Sequence, residues 1–192
     1  MEQKNYETRH IFLAISICTL VATPFFFILI PKTAHNMLFF STSTWLVQTP
    51  KYSYTLFALG GFFLALGFFF VYLFHKQQTK IVISVFVMIP LTLLIMSLSI
   101  NHYQYMGDTG VAWSSPFSYT TSQYSWDDVE RIEYVLTENY KKEKSRILIM
   151  FKDGNSISFV SDNVFREKYW KFRGIIAKYS IPFIGTGANA NS

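Results

Sequence analysis

Side chains able to catalyse a reaction or bind a metal ion are few in this sequence. The densest group is the acidic cluster of Asp127, Asp128 and Glu130. Clustered carboxylates serve as general acids and bases or as ligands for hard cations. On a strand or a tight turn, however, such neighbours point in different directions. We therefore interpret the cluster as a solvated turn or a helix cap.

The other candidates lack the spacing that catalysis or metal binding needs. Ser114 and Ser115 lack a G-x-S-x-G context, and no phosphate-binding loop, H-E-x-x-H or dinucleotide motif occurs. Cys18 is the one cysteine and has no cysteine partner in the sequence. The histidines fall at the ends of apolar runs or in connections, as interfacial polar residues: His10, His35, His75 and His102. We predict no catalytic, cofactor-binding or metal-binding residue, and we expect the protein not to be an enzyme.

Composition and charge point to a membrane. Hydrophobic residues make up 51% of the 192 residues, and charged residues only 15%, against about 25% in ordinary globular domains. The net charge is +5, but its excess lies beside apolar segments in residues 1–100. Residues 101–192 are nearly neutral, so we expect no nucleic-acid partner.

Three uncharged segments predict membrane-spanning helices. They are residues 11–30, 54–74 and 81–100. A helix of about 20 residues is about 30 Å long, which matches the hydrocarbon thickness of a bilayer. A cleaved signal peptide is the alternative for the first segment, but it lacks a clear cleavage site. We predict a three-span region over residues 1–100.

The spans contain features that predict packing and kinks. Pro24 and Pro90 remove helix hydrogen bonds and predict kinks that can line a cavity. Small residues follow one stripe of the second span: Ala58, Gly60, Gly61, Ala65 and Gly67. Such a stripe lets another helix approach closely. The neighbour is the first or third span, or another copy of the chain; we favour packing within the chain.

Lysine and arginine positions predict the orientation. Lys4 and Arg9 precede the first span, and Lys76 and Lys80 lie in the connection between the second and third. The opposite side has Lys32 and Lys51, and residues 101–130 contain no basic residue. Cytoplasmic loops carry the excess of basic residues. We therefore predict a cytoplasmic N-terminus and an extracytoplasmic C-terminal domain.

The first connection, residues 31–53, contains two short apolar runs. Met37–Phe40 and Trp45–Val47 are too short to cross a bilayer. We expect them to lie in the membrane interface, with Trp45 at the depth of the headgroups.

From residue 101 the pattern becomes that of a water-soluble α+β module. Alternating residues predict strands, the Asp153-Gly154 pair predicts a hairpin turn, and Asp162 begins an amphipathic helix that Pro182 ends. The predicted strands are residues 102–106, 111–119, 131–136, 146–151 and 156–160. We predict a domain over 101–184 and a disordered tail over 185–192.

The quoted residues of this module resemble bacterial PH-like domains. The segments are "GDTGVAWSSPFSYTTSQYSWDDVERIEY", "ILIMFKDGNSISFVSDN" and the helix that follows, within residues 102–182. The resemblance implies a curved antiparallel sheet with a C-terminal capping helix. Such domains are often fused to membrane spans, and they bind or scaffold rather than catalyse. The turn at residues 107–110 has no basic residue, so phosphoinositide binding is not implied.

These observations lead to one preferred function and one alternative. We expect a protein of the bacterial cell membrane, embedded in its lipid bilayer, whose PH-like domain binds a protein partner or a second copy. The alternative is a membrane protein that handles a lipid or small hydrophobic ligand between its kinked helices.

Overall fold

The computed structural model describes residues 8–118, 120–135 and 145–186. They fall into two compact units. The helical unit comprises described residues within 8–38, 49–103 and 114–118, and the sheet unit those within 39–48, 104–113, 120–135 and 145–186. The fold class is α+β, and both units are built from separate stretches of the chain.

Three long helices form most of the helical unit. They are α1 (Thr8–Phe39), α2 (Lys51–Leu73) and α3 (Gln78–Asn101). Each is long and apolar enough to cross a membrane, which confirms three apolar helices where spans were predicted. The helices are longer than the uncharged segments: α1 continues through Pro31 and Lys32 for nine residues beyond residue 30. A helix needs only its own backbone hydrogen bonds to continue, so it does not stop where the apolar run stops.

The small residues of α2 contact both neighbouring helices. A Cβ atom on Gly61 would lie 2.6 Å from Thr23 Oγ1 of α1. A Cβ atom on Gly60 would lie 2.8 Å from Met96 Cγ of α3. Both separations are shorter than carbon contacts allow, so the glycines permit these approaches. Ser16 Oγ also donates to the Ala65 carbonyl oxygen at 2.8 Å. The stripe therefore serves packing within the chain.

The sheet unit contains two four-stranded sheets and one helix. The first sheet has the order β1-β2-β3-β4 and is antiparallel; the second has the order β7-β6-β5-β8, with β8 parallel to β5. The strands are β1 (Thr44–Gln48), β2 (Gln104–Gly107), β3 (Gly110–Trp113), β4 (Ser122–Ser125), β5 (Val129–Val135), β6 (Arg146–Phe151), β7 (Ser156–Val160) and β8 (Phe183–Thr186). Helix α4 (Asn163–Tyr179) lies between β7 and β8 in sequence.

Strand β1 corrects the prediction for the first connection. Trp45 and Leu46, expected in the membrane interface, are 5% and 1% exposed and belong to the core of the sheet unit. Leu46 pairs with Met106, and Val47 pairs with Tyr105. The apolar run is buried by protein because an antiparallel partner strand follows α3 in the chain. The predicted division at residue 100 leaves this strand outside the C-terminal domain.

Alternating strands and one helical stripe build the core of the sheet unit. Ile147, Ile149 and Phe151 point inward from β6 and are fully buried. From α4, Phe165 and Phe172 pack ring to ring, with centroids 5.3 Å apart. Burying large side chains of this kind contributes about 1.5–3 kcal/mol each. Phe172 also contacts Trp45 of β1 and Trp126, with ring centroids 6.5 Å away in each case, and these contacts hold α4 against the sheet residues.

Both ends of α4 are defined by local hydrogen bonds. Asp162 accepts from the Phe165 amide at 2.9 Å as N-cap, and Ser180 adopts a left-handed conformation (φ 51°) at the C-terminus. The helix thus ends before the predicted stop at Pro182. Residues 185 and 186, predicted as disordered, belong to β8; the rest of the predicted tail, 187–192, lies outside the described residues.

Two glutamines join the two sheets. Gln48 Nε2 donates to the Val160 carbonyl oxygen at 2.6 Å, and Gln48 Oε1 accepts from the Val160 amide at 3.0 Å. Gln104 Nε2 donates to Gln48 Oε1 and to the Ser158 carbonyl oxygen, both at 3.3 Å. The amide of Gln48 therefore satisfies both backbone groups of a β7 residue, as a neighbouring strand would.

Replacing Gln48 should destabilise the sheet unit. Gln48→Ala leaves the Val160 amide and carbonyl without these partners, at a cost of about 1–3 kcal/mol. Gln48→Glu should also destabilise, because a carboxylate cannot donate to a carbonyl oxygen. Denaturant unfolding in detergent, followed by the fluorescence of buried Trp45 and Trp126, measures the change. Gln123→Ala on the exposed side of β4 is the control, with a change within about 0.5 kcal/mol; equal stability of both alanine variants would contradict the role of Gln48.

Candidate functional site

The residues of the acidic cluster take part in a helix cap and a local ion pair. Ser125 and Asp128 form a capping box around the short 3₁₀ turn Trp126–Asp128, in which the Ser125 amide donates to Asp128 Oδ2 at 3.0 Å. Glu130 lies 2.8 Å from the Arg131 guanidinium on the surface. These carboxylates serve a cap and a local ion pair, which confirms the interpretation as a turn or cap.

A second polar group holds the β6–β7 turn. Tyr124 Oη donates to Asp153 Oδ2 at 2.5 Å, and Asn155 Nδ2 donates to Tyr124 Oη at 2.7 Å. The hydrogen bond from Tyr124 lowers the pKa of Asp153, and the same bond raises the pKa of Tyr124. The Tyr124 ring stacks on Phe151 with centroids 4.1 Å apart. The arrangement fixes β4 against the hairpin.

His35, which was interpreted as an interfacial residue, is fully buried in the helical unit. Its Nε2 atom lies 2.9 Å from the Ile100 carbonyl oxygen, and its Nδ1 atom lies 2.9 Å from Thr49 Oγ1. A carbonyl only accepts, so Nε2 carries a hydrogen and a neutral ring accepts from Thr49 at Nδ1. The ring thereby joins α1 to the start of α2 and the end of α3. A lone histidine in a helical segment gives no sequence signal for this burial.

Serines complete the same junction of helix ends. Ser99 Oγ donates to the Ser53 carbonyl oxygen at 2.7 Å, and Ser53 Oγ donates to that of His102 at 2.6 Å. His102 Nδ1 lies 2.8 Å from the Ser114 carbonyl oxygen. His102 is the C-cap residue of α3, where carbonyls lack partners within the helix, and the Ser53 hydroxyl satisfies one of these carbonyls. Within the described part of the chain, no three histidine, cysteine or acidic side chains are placed to hold a metal ion.

A cleft in the sheet unit is the candidate binding site. It lies between α4 and the strands β5 and β8, and its volume is about 260 Å³. Four of its lining residues carry aromatic rings, and the others are one serine, one arginine and one glycine: Tyr134, Phe165, Tyr169, Phe183, Ser161, Arg166 and Gly185. We call it the aromatic cleft. Its chemistry suits an apolar group with a negative charge beside it.

Strand register explains why the cleft is open. Tyr134 of β5 pairs with Gly185 of β8, so both lie on the face that lines the cleft. A Cβ atom on Gly185 would meet no atom within 4 Å. The absent side chain leaves space between Tyr134 and α4. Sequence analysis missed the cleft because β8 was predicted as a helix stop followed by a tail, and its pairing with β5 joins residues 51 apart.

The outer face of α4 continues from the cleft. Trp170 is 70% exposed, and Arg166 and Arg173 lie four residues before it and three after it, on the same side of the helix. The helix contains five basic residues and one acid: Arg166, Lys168, Lys171, Arg173, Lys178 and Glu167. Arg166 forms no ion pair with another residue that the structure describes. An exposed tryptophan therefore lies within a basic helix surface, next to the cleft.

Comparisons with known proteins assign no family to this chain. No protein-family model and no curated protein sequence matches this chain. Among solved structures, the chain is similar to one chain of a structure described as the Spt16D Pob3N heterodimer. The two are 12% identical, the match covers 47% of this chain and 51% of the other, and the TM-score is 0.31. This chain thus spans about half of the length of that neighbour, a likeness that assigns neither family nor activity.

Proposed function

We propose that this chain is a membrane-anchored binding protein whose sheet unit binds a protein partner. The aromatic cleft and the outer face of α4 form the binding surface. The apolar helices supply the anchor, and the carboxylates and histidines described above are engaged in caps, turns and helix junctions. Binding to a partner is therefore favoured over catalysis.

Trp170 is the observation that carries this proposal. A large aromatic side chain that is 70% exposed leaves apolar area in water that a partner would cover. Tryptophan and arginine are enriched among the residues that dominate binding energy at protein interfaces, where truncation of one side chain costs about 2 kcal/mol or more. Both residue types meet here beside a cleft.

We also propose that the sheet unit is a PH-like domain with a membrane hairpin inserted in it. Two sheets of mainly antiparallel strands and a covering helix after β7 support this, together with the sequence resemblance over residues 102–182. On this assignment α2 and α3 form an insertion between β1 and β2. The chain would then pass between the sheet unit and the membrane hairpin twice, once before α2 and once after α3. Both connections would hold the binding domain at the membrane.

The proposed orientation places the N-terminus in the cytoplasm and the sheet unit outside it. Four basic residues flank the cytoplasmic side and two flank the other. Alkaline phosphatase, which is active only after export, should be active when fused to the C-terminus. If the phosphatase fusion is inactive and a reporter that fluoresces only in the cytoplasm is fluorescent at the same position, the sheet unit is cytoplasmic and the proposed orientation is wrong.

Crosslinking tests the binding surface directly. A photoreactive phenylalanine analogue in place of Trp170 should give protease-sensitive adducts with another protein in native membranes. The same analogue in place of Phe117, which is 77% exposed in the helical unit, is the control and should not give those adducts. Trp170→Ala should weaken binding of the identified partner at least tenfold, the loss expected for a central aromatic residue. Adducts only with lipid would contradict the proposal and favour the lipid-handling alternative.

A further inference from the structure

We infer that the partner contributes an extended, acidic segment that adds to the free edge of β8. One apolar side chain of the segment enters the aromatic cleft, and a carboxylate binds Arg166. This inference depends on the proposed function, because it names the partner chemistry of the same surface.

The free edge of β8 supplies backbone donors and acceptors. β8 ends the order β7-β6-β5-β8, and no described strand pairs with its outer side. Gly185, which has no side chain, is exposed, so part of the β8 backbone is accessible from solvent. An open edge presents unpaired N–H and C=O groups and is a template for an added strand.

The pleat of the sheet directs the side chains of such a strand. Phe183 and Gly185 line the cleft, whereas Ile184 between them points to the opposite side. Alternate residues of a strand added beside β8 share the face of Phe183 and Gly185. Every second side chain of the added segment would therefore be directed towards α4 and the cleft.

The volume of the cleft favours a single side chain of a peptide as its occupant. Ligand pockets measure about 300–1,000 Å³, and this cleft measures about 260 Å³. The volume lies just below that range and suits one inserted side chain. Rings on three sides favour an aromatic or branched aliphatic side chain as the occupant.

Arg166 determines the charge of the segment. Among the residues that the structure describes, it is the one charged residue that lines the cleft, and none of the described carboxylates pairs with it. A guanidinium binds a carboxylate through two parallel hydrogen bonds. A carboxylate two residues from the inserted side chain lies on the same face, about 6–7 Å along the strand. The expected pattern is apolar–any–acidic, in either direction.

Selection from a random peptide library tests this pattern. Eight-residue peptides are selected on the full-length protein in lipid nanodiscs and counter-selected on the Gly185→Trp variant, whose added side chain fills the cleft. Enrichment of an aromatic or branched aliphatic residue two positions from an acid is expected. No enrichment, or enrichment of basic peptides, would overturn the inference. Intact β5–β8 pairing in the variant is checked by amide exchange at Glu133 and Tyr134.

Charge reversal and backbone methylation then test each contact. Arg166→Glu should lower the affinity for a selected peptide at least tenfold. A peptide with lysine in place of its acidic residue should bind this variant again. Arg146→Glu, which makes the same charge change at an exposed residue of β6 outside the proposed surface, is the matched control and should have a smaller effect. Alternate amides of an added strand point towards β8, so N-methylation of one alternating set of peptide amides should abolish binding and N-methylation of the other set should not. If both N-methylated peptides bound as well as the unmodified peptide, strand addition would be excluded. Protein adducts at position 170 without peptide selection would overturn this inference and leave the proposed function standing.

Discussion

The pairing of β1 with β2 is the interaction on which the sheet unit depends. The two strands are separated in sequence by the whole of α2 and α3, yet their backbones pair directly and Gln48 continues the contact to Val160 of β7. Without β1, Trp45 and Leu46 would leave the core and one side of β2 would be open. The sheet unit therefore combines residues that precede α2 with residues that follow α3, and we expect residues 101–192 alone to lack part of its core.

The two edge strands of the second sheet, β7 and β8, differ in whether other residues bind their outer backbone groups. This difference supports the proposed binding surface. At β7 the amide side chains of Gln48 and Gln104 bind the backbone of Val160 and Ser158. At β8 no described residue pairs with the outer side. Natural proteins cover or charge the sheet edges that must stay unpaired. An edge left open beside an aromatic cleft and Arg166 is therefore the side of the sheet that suits a partner.

Local patterns predicted the elements, whereas contacts between distant residues could not be predicted. The spans follow from uncharged runs, β6 and β7 from alternation around Asp153-Gly154, and α4 from its cap at Asp162 and its apolar stripe. Trp45–Val47 was misassigned because a short apolar run has the same composition in a membrane interface and in a strand. The burial of His35 and the aromatic cleft depend on Ile100 and Gly185, far from their partners in sequence.

Disulfide crosslinking of β1 to β2 in native membranes tests the central claim most directly. In a Cys18→Ser background, Val47→Cys and Tyr105→Cys are placed on directly paired residues, within the distance of about 4.4–6.8 Å between Cα atoms that a disulfide allows. Mild oxidation should crosslink them efficiently within one chain. Val47→Cys with Ser122→Cys on β4, three strand spacings or about 14 Å away, should remain reduced. Failure of the first pair to crosslink, with a cysteine at position 47 that reacts with lipid-soluble maleimide, would contradict the account.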